Sequence, residues 1–115
     1  MGRKELKNKY KETTPPMGIY QIRNRLTGKI FVGSSINLHG IINRNRFQLK
    51  AGLHPNKPLQ RDFLEVGEVN FAFEILDTLK PPQEGNGDCA EELKTLEQLW
   101  LEKLRPQIEI GYNHG

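Results

Sequence analysis

Apolar and polar residues alternate in three short stretches of the chain, and this pattern predicts three β-strands. The first two stretches are Gly18–Asn24 and Lys29–Gly33. The segment between them contains a glycine and is short enough for a hairpin connection. The third stretch is Phe71–Leu76. We therefore expect a hairpin early in the chain and one further strand in its second half.

Helical spacing of apolar residues predicts three helices around these strands. The first helix begins after Asn37, a good N-cap residue, and ends at Gly52. A short helix follows at residues 57–65. A longer amphipathic helix at residues 89–104 carries Glu97 beside its apolar stripe. The order of hairpin, two helices, strand and helix indicates an α+β domain with few strands.

The length and composition are those of one soluble globular domain. The chain has 115 residues, of which 36% are hydrophobic and 27% are charged. Residues 1–16 are polar and basic, so we interpret them as a flexible basic arm that precedes a domain at residues 17–115. No apolar run could cross a membrane, and the N-terminus is unlike a secretory signal. The single cysteine, Cys89, forms no internal disulfide, so we expect a cytoplasmic protein.

Charge is distributed unevenly along the chain. Residues 17–61 contain eight basic residues and no acidic residue, whereas residues 62–115 contain four basic and twelve acidic residues. This pattern predicts a positive face that attracts a polyanion, most obviously DNA. The alternative is a solvated face whose charge the acidic half balances. The side chains that we expect to contact phosphates are Arg23, Arg25, Lys29, Arg44, Arg46 and Lys50.

A pair of short motifs opens the predicted domain, Gly18-Ile19-Tyr20 and then Phe31-Val32-Gly33. Six further segments follow in chain order: Ser34–Leu38, Leu49–His54, Leu59–Arg61, Asn70–Glu74, Glu97–Trp100 and Gly111–Asn113. Together these eight segments resemble the GIY-YIG nuclease family. The resemblance implies a small three-stranded antiparallel sheet flanked by helices, and metal-dependent hydrolysis of DNA.

The resemblance also implies roles for individual residues. The first signature tyrosine of the family matches Tyr20, and its metal-binding glutamate matches Glu97, which would hold Mg²⁺ or Mn²⁺. A late asparagine matches Asn113, and a frequent histidine matches His54. Each residue also has a purely structural interpretation, and these alternatives stay open. Tyr20 could be a core aromatic residue and Glu97 a surface carboxylate on a helix. Asn113 could be a turn residue, and His54 a histidine that simply precedes a proline.

Three positions depart from the family pattern. Phe31 stands in place of the second signature tyrosine and lacks its hydroxyl. Ile41 occupies the position of a nearly invariant arginine, and Asn45 replaces the histidine or tyrosine that is usual one turn later. Because an arginine fork matches phosphate oxygens and stabilises the negative transition state, these changes predict weak or absent cleavage. Arg44 is the residue that could compensate, since it lies three positions from Ile41.

Three functions remain open on this basis. The first is a DNA-binding domain with weak or absent nuclease activity. The second is an active Mg²⁺- or Mn²⁺-dependent endonuclease, with Tyr20 as general base and Glu97 as metal ligand. The third is a protein-interaction domain that contacts a protein partner through its acidic half.

Overall fold

The structure is a computed structural model, and it describes residues 16–80, 90–105 and 111–112. Its sheet has the strand order β2-β1-β3, and both pairings are antiparallel. The strands are β1 (Met17–Asn24), β2 (Ile30–Ser35) and β3 (Phe71–Leu79). The helices are α1 (Leu38–Ala51), α2 (Lys57–Val66) and α3 (Ala90–Lys103), and a short 3₁₀ turn (Glu68–Asn70) precedes β3.

The expected α+β fold with a three-stranded antiparallel sheet is confirmed. The β2 and β3 strands run further than the sequence pattern predicts, because their ladders with β1 continue to the pairs Gly18–Ser35 and Met17–Leu79. The predicted arm lies outside the described residues except for Pro16. No helix in the described part of the chain has the length and hydrophobicity that a membrane span requires.

Local hydrogen bonds define the ends of the first helix and the hairpin turn. The Asn37 side chain accepts a hydrogen bond from the Gly40 N–H at 2.9 Å, which caps the N-terminus of α1. Gly52 ends this helix in the left-handed region, at φ +77°. In the turn between β1 and β2, the Asn24 side chain accepts the N–H groups of the second and third residues after it. Asn37 and Gly52 therefore act where the pattern predicts them, and Asn24 adds turn contacts that the pattern did not predict.

The sheet buries both of its faces, because successive strand residues point to opposite sides. Ile19 packs with α3, whereas the adjacent Tyr20 packs with α1 and α2. The α3 side buries Ile19, Ile30, Val32 and Leu93. The α1 and α2 side buries Tyr20, Ile22, Leu38, Leu49, Leu59, Phe63, Phe71 and Tyr112.

Tyr112 attaches the C-terminal segment to the domain. Its backbone N–H donates to the Ile30 carbonyl at 2.9 Å, and its hydroxyl donates to Asp62 Oδ2 at 2.8 Å. The same hydroxyl accepts a hydrogen bond from Asn24 Nδ2 at 3.2 Å. Burial raises the pKa of this phenol, so Tyr112 keeps the proton that it donates. The chain is thereby held next to β2 immediately before Asn113.

Gly18 provides the first test of the fold. Its φ of +156° is unusual for other residues, and a Cβ there would overlap the carbonyl oxygen of Asp77 on β3. We expect Gly18→Ala to lower the free energy of unfolding by about 1–3 kcal/mol from overpacking, beyond its backbone strain. Gly52→Ala is the matched control, because it adds the strain of positive φ in open space. Urea unfolding of both variants measures the difference, and equal losses would contradict the account.

Candidate active site at the edge of the sheet

Tyr20 reaches the edge of the sheet because its partner across the strands is a glycine. It pairs with Gly33 on β2, which is an edge strand. A Cβ on Gly33 would lie 2.7 Å from the Tyr20 hydroxyl oxygen and 2.8 Å from the ring carbon that carries it. The phenol therefore lies across the β2 backbone in space that any larger residue would fill. The glycine of the second motif positions the tyrosine of the first.

Glu97 approaches the same edge from the opposite face of the sheet. It lies on α3 and is partly buried, and its Oε1 accepts a hydrogen bond from Ser34 Oγ at 2.8 Å. Ser34 follows Gly33 directly and therefore points to the other face of β2. The negative charge of Glu97 contributes to a raised pKa of Tyr20, so the two groups interact electrostatically. The structure thus brings together the two residues that the sequence singled out first.

A buried hydrogen-bond chain lies behind Tyr20. The Asn56 N–H donates to His54 Nδ1 at 3.1 Å, which leaves the ring proton on Nε2. That Nε2 lies 2.5 Å from Asn45 Oδ1, and the Asn45 amide nitrogen donates to the Ile41 carbonyl at 2.8 Å. The Asn45 side chain also hydrogen-bonds Tyr20. Asn45 and His54 are therefore satisfied internal groups that orient the phenol.

The surroundings keep Tyr20 and His54 in their neutral forms near pH 7. Burial raises the pKa of Tyr20 and the charge of Glu97 raises it further, while the hydrogen bond with Asn45 opposes the change. Burial lowers the pKa of His54. Tyr20 therefore holds its proton, and a protonated phenol is a hydrogen-bond donor rather than a general base.

Ile41 and Phe31 make one side of this site apolar. Both side chains are partly buried and pack against the cluster that contains Tyr20. The Phe31 ring centroid lies 6.3 Å from that of Tyr20 and 6.4 Å from that of His54. The two positions where the resemblance implies an arginine and a tyrosine are therefore occupied by hydrocarbon that contributes to the core.

Arg44 does not lie beside Tyr20. Its side chain is exposed on α1, and within the described residues it forms no ion pair. The groups that shift the pKa of Tyr20 are Asn45 and Glu97, and Arg44 is not among them. In this conformation Arg44 does not replace the guanidinium that is missing at Ile41.

Carboxylates of the acidic half neutralise part of the predicted basic face. Arg23 forms a two-pronged pair with Glu74, with nitrogen–oxygen distances of 3.1 and 3.0 Å. The Lys29 ammonium lies 3.9 Å from a carboxylate oxygen of Asp62. The fold thus places acidic residues of the second half beside two of the basic residues of the predicted positive face.

The remaining predicted phosphate contacts divide into two groups. Arg46 and Lys50 each lie 3.7 Å from an oxygen of the Glu68 carboxylate. Arg25 and Arg44 are exposed and form no ion pair with any residue that the structure describes. Among the six predicted phosphate contacts, Arg25 and Arg44 are thus the two without an ion pair within the described residues.

The donor atoms near Glu97 determine how a metal ion could bind there. Within the described residues, no three His, Cys, Asp or Glu side chains gather to hold a metal. Mg²⁺ commonly binds through one or two carboxylates, several waters and the phosphates of its substrate. A single carboxylate therefore fits an ion that is held jointly with DNA. The Asn113 side chain, which the resemblance also assigns to the site, lies outside the described residues.

Sequence reasoning missed Ser34, Asn56 and the steric role of Gly33. Ser34 and Gly33 could have been found, because they adjoin the second motif and the alternation of a strand gives their directions. The contribution of Asn56 depends on how the loop before α2 folds back onto α1, which no local pattern records.

Comparisons with known proteins found a curated relative and similar solved structures. None of the protein-family models compared with the chain matches it. The chain is 34% identical over 96 residues to Intron-associated endonuclease 1 of Enterobacteria phage T4. That match covers 84% of this chain and 36% of the phage protein, so the chain spans about a third of the length of this curated relative.

Two solved structures match over nearly the whole described fold. The catalytic domain of homing endonuclease I-TevI superposes with a TM-score of 0.69 at 31% identity, covering 86% of this chain and 98% of that domain. A glutamate-to-alanine variant of the same catalytic domain gives a TM-score of 0.68 at 30% identity, covering 85% of this chain and 92% of the variant. Because sequence and fold agree over an entire catalytic domain, this chain belongs to the GIY-YIG nuclease family.

Proposed function

We propose that this chain is a DNA-binding GIY-YIG domain with weak or absent nuclease activity. The observation that carries the proposal is the packing of Ile41 against the apolar cluster around Tyr20, where the family implies an arginine. DNA as the ligand is supported by the similarity to an intron-associated endonuclease and to the catalytic domain of a homing endonuclease.

The missing cation bears directly on the chemistry. Hydrolysis of a phosphodiester builds negative charge on the phosphate oxygens, and a fixed guanidinium stabilises that charge. Removing one preorganised donor from a site of this kind typically costs ~10²–10³ in rate. Ile41 offers no charge and no hydrogen bond, and Phe31 offers no hydroxyl. The cost of the two replacements need not be additive, but both fall on the same step.

The site also lacks a ready proton acceptor. Tyr20 must lose its own proton before it can take one from water, and burial and Glu97 both oppose that loss. His54 is no substitute, because its Nδ1 already accepts the Asn56 N–H and its Nε2 points to Asn45. A general base matched to neutral pH is therefore not available from these side chains.

Glu97 is the residue that would hold a divalent ion, Mg²⁺ or Mn²⁺. Such an ion neutralises charge on the phosphate and on the leaving oxygen when it is bound. Ser34 orients the carboxylate through one oxygen, Oε1. Because Glu97 is a single carboxylate, we infer that metal affinity is low without DNA and rises when phosphate oxygens complete the donor set.

A second candidate function is an active endonuclease. It is favoured by the preserved placement of Tyr20 over Gly33 and by the hydrogen bond between Ser34 and Glu97, since a binding protein does not require either. A partner that supplies an arginine would complete such a site. The two candidates differ in metal-dependent cleavage rather than in affinity for DNA.

Salt dependence tests the binding part of the proposal. We expect affinity for duplex DNA to fall steeply between about 50 and 200 mM salt, because phosphate contacts release counterions. Arg44→Ala should reduce the slope of log affinity against log salt by about 1. Lys94→Ala, at an exposed lysine on α3, should leave the slope unchanged. Anisotropy titrations measure this, and absence of DNA binding at low salt would favour the protein-interaction function instead.

Plasmid nicking with Mg²⁺ or Mn²⁺ tests the catalytic part. We expect little or no nicking by the parent chain, and Glu97→Ala should leave that background unchanged, because the site lacks its cation. Clear nicking that Glu97→Ala abolishes would contradict weak activity and establish the endonuclease. Glu97→Gln serves as a control that keeps the hydrogen bond with Ser34 while removing the charge.

Restoring the missing groups tests the cause of the weak activity. Ile41→Arg combined with Phe31→Tyr should raise metal-dependent nicking above that of the parent chain, because it returns a guanidinium and a hydroxyl to the apolar side of the site. Ile41→Leu with Phe31→Tyr is the matched control, since it restores the hydroxyl without the charge. A folded double variant that binds DNA but gains no activity would contradict this cause.

A further inference from the structure

One aromatic side chain of the described residues has no role in the core or in the site around Tyr20. Phe47 on α1 has 69% of its surface exposed. The inward face of this helix carries Leu38, Asn45 and Leu49. Phe47 follows Asn45 by two residues, so it points to nearly the opposite side of the helix. Packing does not explain a phenylalanine at this position.

Phe47 borders a shallow depression with basic side chains. The depression has a volume of about 430 Å³ and is lined by Asn43, Arg46, Phe47, Lys50 and Ala51. Its volume lies within the range of sites for small organic groups. It combines a flat apolar ring, an amide and two cations on one face of α1.

The two cations are held loosely on this face. Arg46 and Lys50 share the carboxylate of Glu68, each at 3.7 Å, and all three side chains are partly exposed. Exposed ion pairs of this kind contribute little energy, so a phosphate could displace Glu68. The Arg46 guanidinium also lies 4.7 Å from the centre of the Phe73 ring, which restricts where it can point. A ligand with negative charge next to a planar ring would match this arrangement.

We propose that this face of α1, which we call the Phe47 face (Asn43, Arg46, Phe47, Lys50 and Ala51), binds single-stranded DNA by stacking an unpaired base on Phe47. Neighbouring phosphates contact Arg46 and Lys50, and the Asn43 amide lies within the same depression, where it can meet the edge of the base. The proposal rests on DNA binding as the proposed function and adds the class of DNA that the chain prefers.

Charge and shape favour this ligand over an acidic protein segment. Proteins that bind single-stranded nucleic acid usually combine cations that contact the phosphate backbone with an aromatic ring, because every base has a face that stacks on such a ring. A paired base in a duplex keeps its faces covered by its neighbours. The Phe47 face also lies across the helix from Asn45, so changes there leave the groups around Tyr20 intact.

The test compares short single-stranded and duplex oligonucleotides by anisotropy. Phe47→Ala should weaken single-strand binding by about 5- to 150-fold, since one stacked base contributes about 1–3 kcal/mol. Duplex binding should change by less than about twofold, within ordinary surface effects. Leu99→Ala is the control, because Leu99 is 59% exposed on the acidic helix α3. It should alter neither affinity.

A second readout detects the stacking itself. Phe47→Trp should keep single-strand affinity, and the added indole fluorescence should be quenched by single-stranded DNA and not by duplex. Glu68→Gln should strengthen single-strand binding, because it removes the competitor of the phosphates. Single-stranded RNA, titrated in parallel, distinguishes a preference for the deoxyribose backbone from stacking alone.

The outcomes separate this proposal from the proposed function. If the parent chain binds duplex but not single strands, or if Phe47→Ala weakens both equally or neither, the stacking site is contradicted while DNA binding stands. If the parent chain binds no nucleic acid at low salt, both proposals fail. An effect of Phe47→Ala confined to single strands, with quenching at the introduced indole, supports the site.

Discussion

The site depends on one steric relation, the contact between the Tyr20 phenol and the backbone of Gly33. Because β2 is an edge strand and residue 33 has no side chain, the buried phenol lies against the backbone of this strand, and Glu97 approaches the same strand from the other face. Ser34 then fixes the carboxylate from the next position on the same strand. A phenol and a carboxylate from opposite faces of one sheet thus meet at a single edge.

What surrounds that pair decides what it can do. Ile41 and Phe31 pack against the apolar cluster. Under the proposed function, the same side chains leave a bound phosphate without a cation and a hydroxyl. The Asn45–His54 chain orients the phenol but leaves no lone pair free to accept a proton. Binding makes smaller demands, since exposed arginines such as Arg44 suffice for phosphate contacts. Under the proposed function, affinity for DNA and cleavage of DNA therefore rest on different residues.

Local sequence pattern predicted most of the fold because the relevant signals are local. The Asn37 cap, the Gly52 terminus and the strand alternation each act within a few residues. The charge pattern did not indicate which charges pair with one another, for the opposite reason. Glu74 neutralises Arg23 across two strands that are far apart in the chain. The number of charged residues in each segment carries no information on such contacts. For the site, the motifs single out Tyr20 and Glu97 from the sequence alone, whereas the residues that contact them depend on tertiary structure.

We infer that no cation among the described residues acts on the Tyr20 phenol, and the pKa of that phenol measures this most directly. It can be obtained by NMR titration of ring-labelled tyrosine in the metal-free chain, with Tyr20→Phe identifying the resonance. We expect titration above about 10, the value of an unperturbed tyrosine. Titration at or below that value would show that the groups that lower the pKa outweigh burial and the charge of Glu97, and would contradict this expectation.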